Sequence, residues 1–340
     1  MNAPQIMITE PGTGWPVIPP EHDLPHDPPG DVALWSESFF FFTYDPQPGI
    51  GVVMHITRAP FDPGIWRGIV GVYLPNGELL VSKSYGRLGS DRGPGTGPLA
   101  IECVEPLRSW QIRFDGAAQR VTSEVLAAAV LCDGPAEPLE LDLTFTASAP
   151  IFDLAGDVAN HSFASAHQQQ AGVITGTVTV ADETRAIDGF CYRDHGWGPR
   201  DLTTVLGDAW NAMRFDRAGL ICSIDFRSEH ANIMRGYGED GGHFTEITPL
   251  QTPPLDGPDA TPAEFVLRLR RADGAELAVT AEVVHYFTFT FAPPNEVLLG
   301  SYREDPGALH VCEAVVRYEL DGEVVYGLGE RMTRMSTLEF

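Results

Sequence analysis

The chain has 340 residues, 43% of them hydrophobic and 20% charged, and carries a formal net charge of −25 at pH 7. Length and composition fit a soluble globular protein of two domains. The charge argues against nucleic acid and anionic membrane surfaces, which need clustered Lys and Arg, and the scattered acids read as a solvated surface.

A single lysine, Lys83, leaves Schiff-base chemistry one candidate, in a strand end that reads as exposed. The five cysteines, Cys103, Cys132, Cys191, Cys222 and Cys312, have no C-x-x-C spacing and sit mostly in apolar runs. Buried free thiols in a reducing compartment are expected. No signal-peptide pattern opens the chain and no apolar run approaches ~18 residues, so a cytoplasmic protein without membrane insertion is the expectation.

In chain order, residues 1–30 are proline-rich and read as an extended arm outside the core. Strand signals follow at residues 39–44, 51–57 and 66–74, and Asn76-Gly77 marks a hairpin turn. Gly93-Pro94-Gly95-Thr96-Gly97-Pro98 has no helix after it and reads as a loop. Residues 123–131 and 161–170 show helical patterns. Leu139, Leu141, Leu143 and Phe145 alternate with polar residues, as in a strand with one wet face. Residues 249–262 read as a long loop. From Leu277 to Phe291 the odd positions, His285, Phe287 and Phe289 among them, fall on one face. A strand of that length, ~50 Å, must bend.

Many short strands and few helices describe an all-β protein of two barrel or sandwich domains, with less than about a fifth of the chain helical. The strand rhythm breaks near residues 150–165, which places the domains at 31–160 and 161–340. Phosphate loops, G-x-S-x-G, H-E-x-x-H and βαβ dinucleotide units are missing. His22 and His26 are four apart, but in a proline-rich arm they cannot share a helical face. No cofactor and no metal are therefore expected, and side chains alone must carry any chemistry.

The richest stretch is Tyr192-Arg193-Asp194-His195-Gly196-Trp197-Gly198-Pro199-Arg200-Asp201. In extended backbone Arg193, His195 and Trp197 point one way, Tyr192 and Asp194 the other. His195 and Trp197 are expected to share a cavity wall, while Arg193, Arg200 and Asp201 read as an ion-pair network. Asp225 lies in an apolar strand, where burial without a cation would keep its carboxyl protonated, unless Arg214, Arg227 or Arg235 pairs with it. Trp197, Trp210, Phe215 and Phe226 could stabilise a carbocation. His285 either reaches the pocket or is a hydrogen-bonded core histidine, and the same choice stands for His55.

The Tyr-Arg-Asp-His-Gly-Trp-Gly stretch resembles the Asp-His-Asn-Trp-Gly signature of the carotenoid 1,2-hydratase family and its AttH-like relatives. The longer Arg-Asp-His-Gly-Trp-Gly-Pro-Arg-Asp form resembles a bacterial branch of that superfamily. So do Trp35-Ser36-Glu37-Ser38-Phe39-Phe40 with Asp45-Pro46, Val104-Glu105-Pro106-Leu107-Arg108-Ser109-Trp110, and His167-Gln168-Gln169-Gln170, which together span residues 35–335. The resemblance implies two lipocalin-like β-domains, a hydrophobic pocket, no cofactor, and hydration or dehydration of isoprenoid double bonds. His195 and Trp197 match the signature. The family's later Tyr-x-Asp pair falls on Ser223-Ile224-Asp225, with serine in place of tyrosine, and Gly196 stands where the signature has asparagine.

The expected protein is a cofactor-independent hydro-lyase (hydratase, dehydratase or isomerase) acting on a terpenoid-like alkene or tertiary alcohol. Asp225 would donate the proton, with His195, Asp194 and Tyr192 completing the acid–base group. Trp197, Trp210, Phe226, His285 and Phe287 would bind the substrate. A pericyclase, similar in architecture to fungal Diels–Alderases, and a non-catalytic carrier of a hydrophobic ligand are the rival readings. The partner is a small hydrophobic substrate, not nucleic acid, and homo-oligomer formation is left open.

Overall fold

The computed structural model describes residues 18–30, 32–154, 164–229, 232–251 and 263–337. Residues 1–17 of the expected arm, 161–163 of the expected second helix and 252–262 of the expected loop lie outside the described residues. Of the described residues, 69% are in strands and 6% in helices, so the all-β expectation holds.

The strands in chain order are β1 (Trp35–Asp45), β2 (Ile50–Ala59), β3 (Asp62–Tyr73), β4 (Glu78–Gly86), β5 (Leu99–Glu105), β6 (Ser109–Thr122), β7 (Ala136–Ala147), β8 (Phe152–Asp153), β9 (Ala166–Val180) and β10 (Glu183–Pro199). After them come β11 (Val205–Phe215), β12 (Gly219–Ser228), β13 (Asn232–Asp240), β14 (His243–Gln251), β15 (Glu264–Arg271), β16 (Glu276–Ala292), β17 (Glu296–Leu299), β18 (Leu309–Leu320) and β19 (Glu323–Arg334). The order β10-β1-β2-β3-β4-β6-β7-β9 closes through a β9–β10 pairing into a first barrel, with β5 and β8 as extra edges. The order β15-β14-β13-β12-β11-β19-β18-β16 closes through β15–β16 into a second, extended by β17. Closure leaves few unpaired strand edges.

The run Phe39-Phe40-Phe41-Phe42 shows why the barrels pack together. Phe39 and Phe41 fill the first barrel, while Phe40 and Phe42 join Trp210, Phe226, Phe287 and Phe289 of the second barrel in a shared core. A strand buried on both faces loses the apolar–polar alternation and reads as a continuous run. Where one face is wet the alternation survives: Leu139, Leu141, Leu143 and Phe145 of β7 are buried and Glu140 and Asp142 exposed. The Asn76-Gly77 hairpin between β3 and β4 forms with both residues at positive φ, 67° and 76°, as its turn chemistry requires.

Three elements differ from expectation. Residues 166–170 are strand, because β9 pairs with β10 over fifteen positions; of the two expected helices, the one at Ser123–Ala128 forms, capped by Thr122. The pairing passes from the first barrel to the second between Pro199 and Val205, not at residues 160–161. The break at Ala149-Pro150 interrupts the strands, but the chain then returns to the same sheet. In β16 a bulge between Val283 and His285 shifts the register. It turns Val279 and Ala281 into the second barrel and Phe287 and Phe289 out toward the first. One extra residue reverses which face a strand presents.

Candidate functional site

β10 carries the central motif, and its register against β1 sets what each side chain meets. Arg193 lies opposite Phe41 and His195 opposite Phe39, whereas Tyr192 lies opposite Phe42 and Asp194 opposite Phe40. The expected alternation therefore holds, but its consequence is different. The Arg193, His195 and Trp197 face looks into the first barrel, and the Asp194 face looks toward the second.

On the inner face the motif clasps the chain at residues 18–30. Arg193, 1% exposed, makes a 2.8 Å ion pair with Asp23, itself fully buried. Asp23 also accepts hydrogen bonds from the Leu107 amide and the Trp110 indole. This part of the arm is thus held against the core, contrary to the expectation of an extended segment outside it. His195 is stacked on Phe39, and Trp197 on His26. The Oε1 of Glu37 accepts from His195 Nε2 at 3.0 Å and His26 Nδ1 at 2.8 Å, and Arg58 lies 3.4 Å from Oε2. Burial pushes the Glu37 carboxyl up, but the two imidazole hydrogen bonds outweigh it and hold the group at about 2.

Among the described residues, His26, Glu37 and His195 are the group whose donor atoms converge, within 4.8 Å, and they could hold a metal ion. Hydrogen bonds account for the cluster more simply. The separations are those of N–H···O bonds, and Arg58 already supplies the carboxylate's cation. Among the described residues His195 Nδ1 has no hydrogen-bond partner, whereas a metal-bound histidine normally uses that atom to fix its ring.

The outer face opens on a cavity between the barrels, enclosing about 70 Å³, enough for a few water-sized groups. Its walls are Phe40, Trp210, Phe226, Phe289 and Phe291, with Leu154, Leu202, Ile224, Ile233, Val311 and Met332. Against this apolar lining stand four acids, Asp194, Asp208, Glu313 and Glu330, together with Arg200, Arg235, His55 and His167. Glu313 of β18 and Glu330 of β19 are directly cross-strand, and Asp208 of β11 reaches Glu330 from the next strand, giving a hydrogen-bonded chain Asp208–Glu330–Glu313.

Burial dominates the electrostatics here. It raises Asp194 to about 7, with Arg200 and Arg193 limiting the rise, and it raises Glu313 to about 8. Burial and the neighbouring acids hold Asp208 and Glu330 well above the ordinary carboxylate range. Burial, then Arg200, depresses both His55 and His167 to about 3, so these imidazoles are neutral. The cavity thus presents neutral carboxylic acids, one of them poised near neutrality, to an apolar space. Such groups can protonate a weakly basic carbon or oxygen, and the carboxylate left behind can take a proton back.

Of the residues expected at the site, the structure brings Asp194, Trp210 and Phe226 to this cavity. The others do not line it. Asp225 is buried on the alternate face of β12 from Ile224 and Phe226, beside Ala209 of β11. His195 and Trp197 face the first barrel. Tyr192 is buried in the shared core, its hydroxyl against Tyr237, 3.0 Å from Gln169 and 3.2 Å from Cys222. Burial keeps this phenol protonated. His285 is a core histidine, bonded to Ser123 Oγ and the Glu78 carbonyl, each at 3.0 Å, and Phe287 packs on the backbone of Gly71. His55, by contrast, does reach the cavity.

Asp208, Glu313 and Glu330 escaped the sequence reading. Glu313, in Val311-Cys312-Glu313-Ala314-Val315, carries the signal that drew attention to Asp225: a lone acid in an apolar strand.

A family model described as a domain of unknown function (DUF7064) matches residues 19–334. No curated protein matches the chain. Among solved structures, one described as an AttH of Nitrosomonas europaea is similar over 98% of this chain and 100% of its own, with 15% identity and a TM-score of 0.52. CghA with Sch210972 is similar over 97% of this chain and 96% of its own, with 13% identity and a TM-score of 0.52. Kievitone hydratase from Nectria haematococca is similar over 89% of each chain, with 12% identity and a TM-score of 0.50. At these identities the likeness is one of fold, the paired lipocalin-like barrels.

Proposed function

The chain belongs to the family described as a domain of unknown function (DUF7064), and we propose that its inter-barrel cavity is the active site of a cofactor-independent hydro-lyase. The substrate class is an isoprenoid-like alkene or the corresponding tertiary alcohol. One observation carries the reading: Asp194, 8% exposed and raised to about 7, stands at the head of an aromatic-walled cavity. The likeness in fold to a protein named as a hydratase is consistent with it.

In hydration, the Asp194 carboxyl gives its proton to one alkene carbon, and the π-electrons form the new C–H bond. Positive charge develops on the other, more substituted carbon, facing Trp210, Phe226 and Phe289. Aromatic faces stabilise such charge by about 2 kcal/mol when water is excluded. A water oxygen then bonds that carbon, and the proton it sheds returns to the Asp194 carboxylate, which Arg200 stabilises meanwhile. Dehydration is the reverse. So small a cavity admits only the branched end of a substrate, so selection acts on the terminus of a longer chain.

The test is product formation from a panel of tertiary terpene alcohols and their alkenes. The proposal expects turnover of at least one alcohol–alkene pair by the protein as purified. No turnover across the panel, with binding intact, would leave the carrier reading.

A further inference from the structure

The acids of the cavity outnumber its cations, and this excess points to a ligand class. Asp194 comes from β10, Asp208 from β11, Glu313 from β18 and Glu330 from β19. Facing them are Arg200, which follows β10, and Arg235 of β13, which is 3.5 Å from the surface residue Glu246; outside the lining, the buried Arg331 of β19 and Asp225 of β12 also act on Asp208, with opposite signs. The remaining titratable groups in the lining, His55 of β2 and His167 of β9, are neutral. The carboxyls satisfy one another in the chain Asp208–Glu330–Glu313. Its two end residues each keep one oxygen, Asp208 Oδ1 and Glu313 Oε2, that is closed to solvent and has no hydrogen-bond partner among the described residues. Both residues are more than nine-tenths buried and line the cavity.

Unpartnered oxygens of buried acids, in a cavity walled by five aromatic rings, form two halves of one recognition chemistry. An ammonium group donates to carboxylate oxygens and is attracted to ring faces at once. We infer that the cavity binds a small lipophilic ammonium ion, its N–H groups on Asp208 and Glu313 and its hydrocarbon against Phe40, Trp210, Phe226, Phe289 and Phe291. A bare divalent cation fits less well. Among the described residues the donor atoms that converge within 4.8 Å are those of His26, Glu37 and His195, not these carboxyls. Hard cations also need about six or more oxygens or retained waters, and most of this lining is hydrocarbon.

The inference rests on the same cavity as the proposed hydro-lyase but needs no turnover. Binding is coupled to protons, because an arriving cation favours the ionised carboxyls. An ammonium ligand must therefore release protons from the acid chain and bind more tightly as pH rises toward 8. The imidazoles do not alter this sign, since they are already neutral.

Isothermal titration of the full chain with cyclopentylamine and with cyclopentanol, two ligands of equal size, tests the inference. Each is run at pH 6, 7 and 8 in two buffers of different ionisation enthalpy, to count protons. The amine is expected to bind at least about tenfold more tightly than the alcohol at pH 8. Its affinity should rise between pH 6 and 8, with release of close to one proton, and the alcohol should show neither trend. Glu313→Gln should remove most of the preference. If that variant does not fold, the wild-type comparison decides alone. Equal affinities, or amine binding without pH dependence or proton release, would overturn the inference. Ammonium binding without alkene or alcohol turnover would sink the proposed reaction and leave this site standing; turnover without ammonium preference would do the reverse.

Discussion

Asp194 and Asp225 have the same side chain and the same fractional exposure, 8%, yet Asp194 faces the cavity and Asp225 the opposite side of its strand. The alternation of residues 192–197 was legible because extended backbone dictates it. Which face meets the substrate was not, since that depends on a second barrel whose strands begin at Val205. The carboxyl chain was hidden for a similar reason. Asp208, Glu313 and Glu330 are brought together by β11–β19 and β18–β19 pairing, which no local pattern encodes. A prediction at this scale follows from Asp194, which must be protonated to act as an acid and titrates at about 7. The hydration rate should be flat on the acid side of pH 7 and fall by up to about tenfold per pH unit above it. A pH–rate profile checks this, and a rate that rises through pH 8 would assign the step to a base.

At the scale of elements, β10 does two jobs, and the strand spacing was readable while its division of labour was not. Its outer face supplies Asp194. Its inner face clasps residues 18–30 through the Arg193–Asp23 pair and the Glu37 cluster, so the residues carrying the family resemblance hold the first barrel together as much as they serve a site. Glycine follows from the same crowding: Gly198, at φ 126°, has the Ser165 backbone within 2.4 Å of where a Cβ would stand. β16 makes a parallel point, because its bulge after Val283 reversed the face that simple alternation assigned to Phe287 and Phe289. Replacing Arg193 by Met would leave Asp23 buried and unpaired, at a cost of about 3–5 kcal/mol. Urea denaturation should show that loss, with ligand affinity at the cavity unchanged in the folded fraction. A loss under about 1 kcal/mol would mean the clasp is dispensable.

For the whole molecule, two barrels with a shared core were foreseeable from strand spacing and the four-phenylalanine run. The shared core between the barrels also buries titratable groups of both signs, and this sets the pH dependence of stability. His55 and His167, depressed to about 3, are neutral when folded but charge when unfolded, so stability is lost as pH falls below about 6.5. Asp194 and Glu313, raised to about 7 and 8, retain protons that the unfolded chain releases above about pH 4. Their contribution is therefore lost as pH rises from about 4 through 8. Above pH 6.5 the carboxyls act alone, and each that stays protonated costs about 1.4 kcal/mol per pH unit. Tm should fall between pH 6.5 and 8, and Glu313→Gln should flatten that slope; a Tm rising over this interval would contradict the burial of the acid chain. Whether that chain and Asp194 perform acid chemistry on carbon is tested most directly by incubating an active alkene in deuterated water with wild-type protein and with Asp194→Asn. The account predicts solvent deuterium on the protonated carbon of the alcohol, and a rate about 100-fold or more lower in the variant, which keeps the side chain's size but has no acidic proton. Alcohol formed at the wild-type rate by Asp194→Asn would contradict it.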